Sequence, residues 1–280
     1  MSNVLITGCS SGFGLLTALE FARKGDRVFA TMRNLDKATA LKDAAAKENL
    51  QISLLRLDLL DESTISSAVD EAEAEAGPID VLVNNAAMEL RSPIEDASEE
   101  EVRKQFETNV FGTLRVIRKV LPRMRERRTG TIVNLSSIGG IVAAPYAGYY
   151  SATKHAVEAI SEAMHYEARP FGVRIIVIEP GAFPTEFGSN AFVAAKFNES
   201  SPYQANAQGF ERAFERMRAP DGVRQDPADV ARAIYDAVHD ETPRLRYTVG
   251  ADAQMIAAVR KQLDFEGFEA AMRKALDWWD

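Results

Sequence analysis

The sequence has few residues that could hold a metal or form a covalent link. Its 280 residues include one cysteine, Cys9, and three histidines, His155, His165 and His239. A single cysteine excludes an internal disulfide, and the histidines lack the spacing of metal ligands. We therefore expect no metal site, interpret Cys9 as a small filler rather than a nucleophile, and predict a cytoplasmic protein.

The sequence also lacks a membrane segment and an excess of positive charge. No apolar run reaches the ~18 residues that a transmembrane helix needs. The first residues already have a strand pattern, so we expect no signal peptide. Lys and Arg number 33 against 41 Asp and Glu, which gives a formal net charge of −8. We therefore expect neither a nucleic-acid partner nor a membrane partner, because both call for a basic surface.

No internal repeat or low-complexity segment interrupts the chain. With 280 residues, 46% of them hydrophobic, the chain can bury one sizeable core. We predict a single domain over residues 1–280, with two domains as the alternative.

Apolar strands alternate with helices along most of the chain. The predicted strands are Val4–Thr7, Arg27–Thr31, Gln51–Leu57, Asp80–Asn84, Ile132–Leu135, Val173–Ile178 and Leu245–Val249. The predicted helices are Leu15–Lys24, Leu35–Asn49, Glu62–Ala76, a long helix capped by Ser98 and running toward Arg128, a helix from about Tyr149, and Val230–Val238. Apolar strands between helices indicate a parallel sheet covered on both faces. The sequence therefore predicts a doubly wound α/β fold.

A glycine-rich turn joins the first strand to the first helix. It contains Gly8, Gly12 and Gly14. Glycine lets the backbone turn tightly and approach a pyrophosphate, and the free N–H groups of the helix terminus point at the anion. An ordinary connection between strand and helix is the alternative, but the flanking elements are the context that a phosphate site needs.

A second pattern lies on the helix that follows the central strand. Tyr150 and Lys154 are four residues apart, so their side chains leave the same helix face. A lysine ammonium favours the phenolate, which would lower the pKa of Tyr150 toward the working pH and suit alcohol–carbonyl chemistry. Ser137, at the end of the strand, could direct a hydroxyl at the same oxygen. A helix face without function is the alternative, because composition alone would give such a pair in roughly one chain in four.

Both patterns belong to a longer series of matches. In chain order these are Thr7-Gly8-xxx-Gly12-x-Gly14, Asp58, Asn84-Asn85-Ala86, Asn109, Ser137, Tyr150-xxx-Lys154, and Pro180-Gly181 followed by Thr185. With these residues the sequence resembles the short-chain dehydrogenase/reductase family along nearly its whole length. Ala87 departs from the pattern, since the family usually has glycine there. The resemblance implies a Rossmann-like, doubly wound parallel sheet with helices on both faces, in a single domain.

The resemblance also implies a nicotinamide cofactor and four catalytic residues. Tyr150 would give a proton to the carbonyl oxygen, and Ser137 would hydrogen-bond that oxygen. Lys154 would hold the nicotinamide ribose and tune Tyr150. Asn109 would anchor a water that relays protons to bulk solvent, with a solvent-facing asparagine as the alternative.

Further matching residues are expected to contact the cofactor. Asp58 would accept a hydrogen bond from the adenine amine, Asn85 would line the ribose, and Thr185 would contact the nicotinamide amide or the pyrophosphate. The full set expected at the cofactor is Gly8, Ser10, Ser11, Gly12, Phe13, Gly14, Arg33, Asp58, Leu59, Asn85, Ala86, Tyr150, Lys154, Pro180, Gly181, Phe183 and Thr185.

The end of the second strand favours NADP over NAD. Enzymes that use NAD commonly carry an acidic residue there, which binds the free ribose hydroxyls and would repel a 2′-phosphate. This chain has Met32 at that position and Arg33 beside it. A guanidinium can hold a phosphate through two parallel hydrogen bonds, and Ser11 could add a hydroxyl. The alternative is that Arg33 only solvates a loop next to Asp36.

Two segments lie outside the regular alternation. Residues 187–223 combine large apolar side chains with polar spacers, and we predict a substrate lid there, with a pair of packed surface helices as the alternative. Residues 252–280 are predicted to form a helical C-terminal extension, in which Trp278-Trp279 make a docking or subunit contact. The resemblance implies a homodimer or homotetramer.

Three functions compete at this point. The first is an NADP(H)-dependent enzyme that interconverts an alcohol and its ketone or aldehyde, and the second is an NAD-dependent dehydrogenase of the same family. The third is a non-catalytic dinucleotide-binding regulator, which would be expected to lack Tyr150 or Lys154. The segments TGCSSG, VFATMRN and PRLRY resemble 17β-hydroxysteroid and retinol dehydrogenases, which implies a hydrophobic substrate.

Overall fold

Parallel strands form the centre of the molecule. The computed structural model describes residues 1–218 and 225–278. The strands, in chain order, are β1 (Asn3–Ile6), β2 (Arg27–Met32), β3 (Ile52–Arg56), β4 (Val81–Asn84), β5 (Leu90–Arg91), β6 (Gly130–Leu135), β7 (Val173–Pro180), β8 (Phe192–Val193) and β9 (Arg246–Val249). Within the described residues, seven of them form one parallel sheet in the order β3-β2-β1-β4-β6-β7-β9, and β5 pairs with β8 separately.

Helices cover both faces of the main sheet. They are α1 (Gly12–Arg23), α2 (Thr39–Lys47), α3 (Glu62–Ala76), α4 (Glu99–Phe106), α5 (Thr113–Arg127), α6 (Gly148–Ala168), α7 (Glu186–Ser189), α8 (Gln204–Arg218), α9 (Ala228–His239), α10 (Ala251–Gln262) and α11 (Phe265–Leu276). The core on one face contains α1, α2 and α9, and the core on the other contains α3, α5 and α6. The prediction of a doubly wound, Rossmann-like sheet in a single domain is therefore confirmed.

The strand β1 shows how the sequence fills both cores. Successive strand side chains point to opposite faces. Val4 and Ile6 belong to the core that contains Phe21 of α1, whereas Leu5 between them belongs to the core that contains Val116 of α5. All five side chains are fully buried, and each such burial contributes about 1.5–3 kcal/mol. This is why the strands have continuous apolar runs rather than alternating ones.

The direction of winding reverses beside β1. From β1 the chain proceeds outward through β2 and β3, and then returns to place β4 on the other side of β1. A crevice opens at the carboxyl ends of the strands where such a reversal occurs, and ligands bind there in sheets of this kind. The fold therefore fixes one edge of the sheet as the place for a site.

The helix predicted over Leu35–Asn49 begins later than expected. Residues Leu35–Ala38 form a 3₁₀ turn, and α2 follows from Thr39. The Asn34 side chain accepts a hydrogen bond from the Asp36 amide and thereby tightens the first turn. The pattern of apolar residues could not distinguish the two helix types.

The long helix predicted from Ser98 is interrupted near its middle. Its start is confirmed, because Ser98 and Glu101 form a reciprocal capping box. Between α4 and α5, however, residues Glu107–Gly112 form a π-helical turn. Gly112 in this turn lies against Leu59, where an added Cβ would come within 2.6 Å of the Leu59 Cβ. The wider turn occurs beside the site described below, as π turns frequently do.

The C-terminal part of the chain packs on residues 187–218. The indole of Trp278, just after α11, lies 5.1 Å from the Phe210 ring of α8, and its Nε1 donates to the Asn206 carbonyl at 2.8 Å. Trp278 therefore docks within its own chain. Trp279, and the end of the predicted lid at Val223, lie outside the described residues.

The only cysteine of the sequence packs below the glycine-rich turn. Cys9 is fully buried, and its thiol donates to the Ile6 carbonyl at 3.3 Å. Burial raises the pKa of the Cys9 thiol to about 12, so the thiol stays protonated at neutral pH. These properties agree with a packing role rather than a nucleophilic one.

Candidate active site

The residues predicted to be functional gather at one edge of the sheet. Gly8 follows β1, Asn85 follows β4, Ser137 follows β6 and Gly181 follows β7. Because these strands are parallel neighbours, their carboxyl ends meet. The α6 helix begins beside the same edge and brings Tyr150 and Lys154 to it.

The ammonium of Lys154 is anchored below the tyrosine. Lys154 is 4% exposed, and its Nζ donates to the Leu135 carbonyl at the end of β6 over 2.7 Å. Nζ also lies 5.6 Å from the centre of the Tyr150 ring. The hydrogen bond ties α6 to β6 and so fixes where Tyr150 stands relative to Ser137.

The pKa of Tyr150 shifts in the direction opposite to the one that the sequence suggested. Burial raises this pKa, and the negative charge of Glu89 raises it further. The Ser137 hydroxyl, which lies near the Tyr150 ring on the same side of Gly139, acts in the lowering direction. The expectation that Lys154 brings the pKa of Tyr150 down toward neutrality is therefore wrong for the structure. The phenol is protonated at neutral pH, which is the form that can give a proton away.

Lys154 has a perturbed pKa of its own. Burial lowers it from 10.5 to about 8, and the nearby Glu158 carboxylate partly opposes this. A buried ammonium costs free energy because it loses its water shell. Lys154 is thus poised between its charged and neutral forms close to physiological pH.

Asn109 lies in the π turn with its side chain fully engaged. Its Nδ2 donates to the Met88 carbonyl at 2.9 Å and to the Thr153 hydroxyl at 3.1 Å, and its Oδ1 accepts from the Met88 amide at 2.9 Å. It is 2% exposed, which excludes the solvent-facing alternative. The side chain therefore connects α6 to the segment after β4, and the water relay assigned to Asn109 stays a prediction.

The glycine-rich turn packs closely on the segment after β4. Gly8 has a φ of +75°, and an added Cβ would come within 2.8 Å of the Ala86 Cα. An added Cβ at Gly14 would collide with the Asn85 side chain and the Gly8 carbonyl. Asn85 itself donates to the Thr7 and Gly8 carbonyls at 2.8 and 3.1 Å. Its amide therefore holds the turn, whereas the predicted ribose contact stays a prediction.

The start of α1 has the properties of an anion site. Ser11 occupies the N-cap position, yet its side chain makes no capping hydrogen bond, and no acidic residue lies in the first turn. The Cys9 amide donates to the Thr31 carbonyl at 2.9 Å, which brings the turn beside the end of β2. The side chain of Arg33 is exposed there and has no hydrogen bond or ion pair with another described residue. Free amides, a free hydroxyl and an unpaired cation fit a phosphate group.

The loop after β7 closes the other side of this turn. An added Cβ at Gly181 would collide with the Asp252 carboxylate, which also accepts from the Ala182 amide at 2.7 Å. Phe183 then packs edge-to-face on Phe13 of α1, with ring centres 5.6 Å apart. A carboxylate from α10 thus holds the loop in place against the glycine-rich turn.

A cleft runs between α1 and the loop after β7. Its volume is ≈ 450 Å³, and Gly12, Leu15, Thr185 and Glu186 are among its lining residues. An added Cβ at Gly12 would meet Thr185 at an ordinary 3.5 Å, so the cleft has room between the turn and the loop. Thr185 itself caps α7 by accepting from the Phe187 amide at 3.4 Å.

Asp58 and Leu59 follow β3 at the far end of the edge. The Leu57 amide donates to the Met32 carbonyl at 3.1 Å, which places this segment beside Arg33. Asp58 uses Oδ1 to accept from the Leu60 amide at 3.0 Å, while Leu59 is buried against Gly112. The second carboxylate oxygen of Asp58 has no hydrogen bond to another described residue.

Four residues with evident positioning roles were not predicted from the sequence. They are Gln105 and Thr153, which hold the segment after β4 and the start of α6, and Gln225 and Asp252, which hold the loop after β7. Gln105 is fully buried in α4, and the sequence could have indicated it only as a lone polar residue on the apolar side of a helix. No local pattern could have indicated Asp252, because its partner lies 70 positions earlier in the chain.

Phe187 of α7 lies beside Tyr150. The Phe187 ring lies 5.8 Å from the Tyr150 ring. Beyond it, β8 pairs with β5, and Ala195 donates its amide to Glu101 of α4 at 2.9 Å. An aromatic group from this segment therefore stands beside the predicted proton donor.

Neither a metal cluster nor a membrane-spanning helix occurs in residues 1–218 and 225–278. No group of at least three His, Cys, Asp or Glu side chains there could hold a metal ion. None of the helices in these ranges combines the length and the apolar character needed to cross a bilayer.

The lowered pKa of Lys154 predicts how stability depends on pH. Between about pH 8 and 10.5, the unfolded chain keeps a proton on Lys154 that the folded chain has released, so the free energy of unfolding rises with pH. A Lys154→Met variant lacks this contribution. We expect the free energy of unfolding of the wild type, minus that of the variant, to rise by about 3 kcal/mol between about pH 7 and 10.5. Urea unfolding at a series of pH values measures this difference. A difference that stays constant would show that Lys154 keeps an ordinary pKa.

Comparison with known proteins identifies the family. Residues 2–195 match the family described as short chain dehydrogenase. The chain is 36% identical over 259 residues to a 3-ketodihydrosphingosine reductase of Bacteroides thetaiotaomicron, covering 92% of this chain and 91% of that protein. It is 33% identical over 253 residues to human retinol dehydrogenase 8, covering 87% and 79%.

A solved structure agrees over the full length. The crystal structure of a short-chain dehydrogenase from Streptomyces avermitilis superimposes with a TM-score of 0.79 at 35% identity, and the match covers 98% of this chain and 97% of that one. The glycine-rich turn, the Tyr150–Lys154 pair and these matches lead to one conclusion. The chain belongs to the short-chain dehydrogenase family and is a dinucleotide-dependent oxidoreductase.

Proposed function

We propose that this protein is an NADP(H)-dependent oxidoreductase that interconverts a hydrophobic alcohol and its ketone or aldehyde. The observation that carries the proposal is the meeting of the Tyr150 phenol with the Ser137 hydroxyl above the anchored Lys154. The start of α1 adds the features of an anion site, because Ser11 makes no capping hydrogen bond and the first turn has no acidic residue. A proton donor, a hydrogen-bond donor and an anion site are the parts that carbonyl reduction requires of the protein.

The chain supplies the proton and the polarisation in this reaction. When bound, the nicotinamide supplies the hydride or accepts it. The protonated Tyr150 gives its proton to the carbonyl oxygen as negative charge develops there, and Ser137 donates a hydrogen bond to the same oxygen. The Lys154 ammonium, held by the Leu135 carbonyl, stabilises the phenolate that remains. In the direction of alcohol oxidation, the same groups act in reverse.

Removing the Tyr150 hydroxyl tests the proposed reaction. Tyr150→Phe should lower kcat by at least about 10²–10⁴-fold, because general acid catalysis is lost, while the affinity for NADPH stays nearly unchanged. The measurement is NADPH consumption with a panel of aldehydes, ketones and steroids, together with cofactor binding by fluorescence. Tyr149→Phe is the matched control, since the Tyr149 hydroxyl donates to the Ile94 carbonyl away from the phenol of Tyr150. Near-wild-type turnover in Tyr150→Phe would refute the assignment.

The choice of NADP depends on the end of β2. Met32 there is 2% exposed and offers no carboxylate to the ribose hydroxyls. Arg33 follows it with an exposed guanidinium, next to the uncapped Ser11. The nearest alternative partner, Asp36, makes no ion pair with Arg33 among the described residues. These features support a 2′-phosphate contact rather than a solvated loop, and they favour NADP over the NAD-dependent alternative.

Arg33→Ala separates the two cofactors. A charge-assisted pair contributes roughly 1.5–3 kcal/mol, so the variant should bind NADPH about ten- to a hundredfold more weakly and NADH with nearly unchanged affinity. The measurement is the dissociation constant of each cofactor, in the wild type and in the variant, by titration calorimetry. Arg169→Ala removes an exposed arginine just before β7, at the opposite edge of the sheet, and serves as the control. A wild-type protein that binds NADH as tightly as NADPH would contradict the assignment.

Two observations support a hydrophobic substrate. Phe187 stands against Tyr150, and the relatives named above act, by their names, on a ketodihydrosphingosine and on retinol. The presence of Ser137, Tyr150 and Lys154 in one site disfavours a non-catalytic regulator. The cytoplasmic location and a homodimeric or homotetrameric state stay predictions.

Residues 187–218 are proposed to act as the lid over this substrate. Their contacts with the rest of the protein include the short β5–β8 pairing and an aromatic cluster in which Tyr146 stacks on Phe197 at 5.9 Å. Tyr146 has a φ of +63° and lies four residues before Tyr150. Closure of this segment would therefore be transmitted to the loop that leads into α6, the helix that carries the proton donor.

Limited trypsin digestion tests the lid. Lys196 is exposed within the segment, and NADPH together with a bound alcohol should slow cleavage after it several-fold, because closure orders the backbone around it. Cleavage after Lys47, an exposed residue at the end of α2, serves as the internal control. Equal protection at both sites would indicate general stabilisation, and no protection at Lys196 would contradict a lid.

A further inference from the structure

The backbone around Glu89 is held rigidly beside the proposed active site. Gln105 of α4 accepts from the Leu90 amide at 2.6 Å and donates to the Met88 carbonyl at 2.8 Å. Asn109 binds the amide and the carbonyl of Met88 from the same side. With Met88 and Leu90 fixed in this way, the side chain between them has a defined direction. Leu90 points into the core and is fully buried, so Glu89 points to the opposite side.

The contacts of Glu89 place its carboxylate close to Tyr150. Its Oε1 accepts from Nε of Arg91 at 3.2 Å. The other end of the Arg91 guanidinium faces Gly188, whose neighbour Phe187 lies against Tyr150. The charge of Glu89 is also close enough to raise the pKa of the Tyr150 phenol. The carboxylate therefore faces the space in which a group beside the reacting carbonyl would lie.

Arg91 does not cancel the negative charge of the region around Glu89. Its guanidinium lies between Glu89 and Glu211 of α8, whose carboxylate is 3.9 Å away. Two carboxylates thus share one cation, which leaves a net charge of −1. The second oxygen of Glu89, Oε2, has no hydrogen-bond partner within residues 1–218 and 225–278, although the side chain is only 14% exposed. A carboxylate oxygen that no protein group occupies can accept a charge-assisted hydrogen bond from an ammonium group.

We propose that Glu89 is a specificity-determining residue that binds a primary ammonium group on the carbon next to the substrate carbonyl, so that the preferred substrates are α-amino ketones with a hydrophobic chain. The proposal rests on the proposed function, since Tyr150 must mark the position of the carbonyl oxygen. The ammonium would bind Oε2 of Glu89, and the apolar chain would lie along Phe187. Arg91 holds Glu89 in this orientation through the hydrogen bond from its Nε, and the exposed Glu211 shares the same guanidinium.

Two alternative roles for Glu89 and Arg91 lead to different specificities. If Glu89 and Arg91 were only a structural pair, a charged and a neutral ketone of the same shape would react equally well. If Arg91 were the recognition group, the site would prefer an anionic substrate, although Arg91 already faces two carboxylates. A comparison of substrates that differ in charge therefore separates ammonium binding by Glu89 from both alternative roles.

The experiment compares two ketones within each protein variant. One is a long-chain 2-amino-3-ketone as its ammonium salt, and the other is its neutral N-acetyl derivative. The quantity measured is the ratio of their kcat/KM values with NADPH. Because both substrates take their proton from Tyr150, an altered pKa of that residue affects both and cancels in the ratio. The wild-type protein should prefer the ammonium ketone, and Glu89→Gln should lower the ratio about ten- to a hundredfold, mainly through KM of the ammonium ketone.

Two further variants serve as matched controls. Glu211→Gln removes the other carboxylate that faces Arg91, at a side chain that is 65% exposed, and should lower the ratio much less than Glu89→Gln does, because the carboxylate that binds the ammonium remains. Glu89→Asp keeps the charge and should retain part of the preference. A saturated primary amine should inhibit reduction of a neutral ketone more strongly than the matching alcohol does, and this difference should be lost in Glu89→Gln.

The outcomes distinguish this proposal from the proposed function. A wild-type ratio near one, or a ratio that Glu89→Gln does not change, overturns the role of Glu89 even if neutral ketones are reduced well. A preference for an anionic ketone assigns recognition to Arg91 instead. Failure of the wild-type protein to reduce any ketone with NADPH or NADH would overturn the proposed function, and the role of Glu89 with it.

Discussion

The hydrogen bond from buried Lys154 to the Leu135 carbonyl is the contact on which the site depends. It joins the helix that carries Tyr150 to the strand that leads to Ser137, so two separate elements share one fixed distance. Burying the ammonium lowers its pKa to about 8, and the structure accepts this cost at one place below the proton donor. A lysine with an ordinary, solvated ammonium could not act as both anchor and electrostatic partner.

The surrounding polar residues serve mainly to hold backbone segments in place. Asn85 binds the glycine-rich turn, Asn109 and Gln105 bind the segment after β4, and Asp252 binds the loop after β7. Each of these side chains satisfies backbone groups that a loop at the edge of a parallel sheet would otherwise leave unpaired. The loops can therefore stay close together around a cleft without forming regular structure.

The sequence was sufficient for the fold and for the residues that have local signals. The glycines of the first turn and the Tyr150–Lys154 spacing each reflect a short stretch of backbone, and their positions could be predicted from it. The role of Asp252 depends on a contact with a residue 70 positions away, which no local pattern contains. The direction of the Tyr150 pKa shift was also beyond the sequence, because it is set by burial and by Glu89 rather than by the lysine one turn away.

Two regions at the carboxyl ends of the strands, one beside β2 and one beside Tyr150, differ in charge. At the end of β2, the exposed Arg33 and the first turn of α1, which lacks acidic residues, favour an anion. In the other region, Glu89 and Glu211 share Arg91 and leave a negative charge beside Tyr150. A phosphorylated cofactor is attracted to the first region and repelled from the second, whereas a cationic substrate has the opposite preference. Under the proposed function, the charges that select the ligands would therefore also orient them, so that the nicotinamide end and the substrate meet at Tyr150.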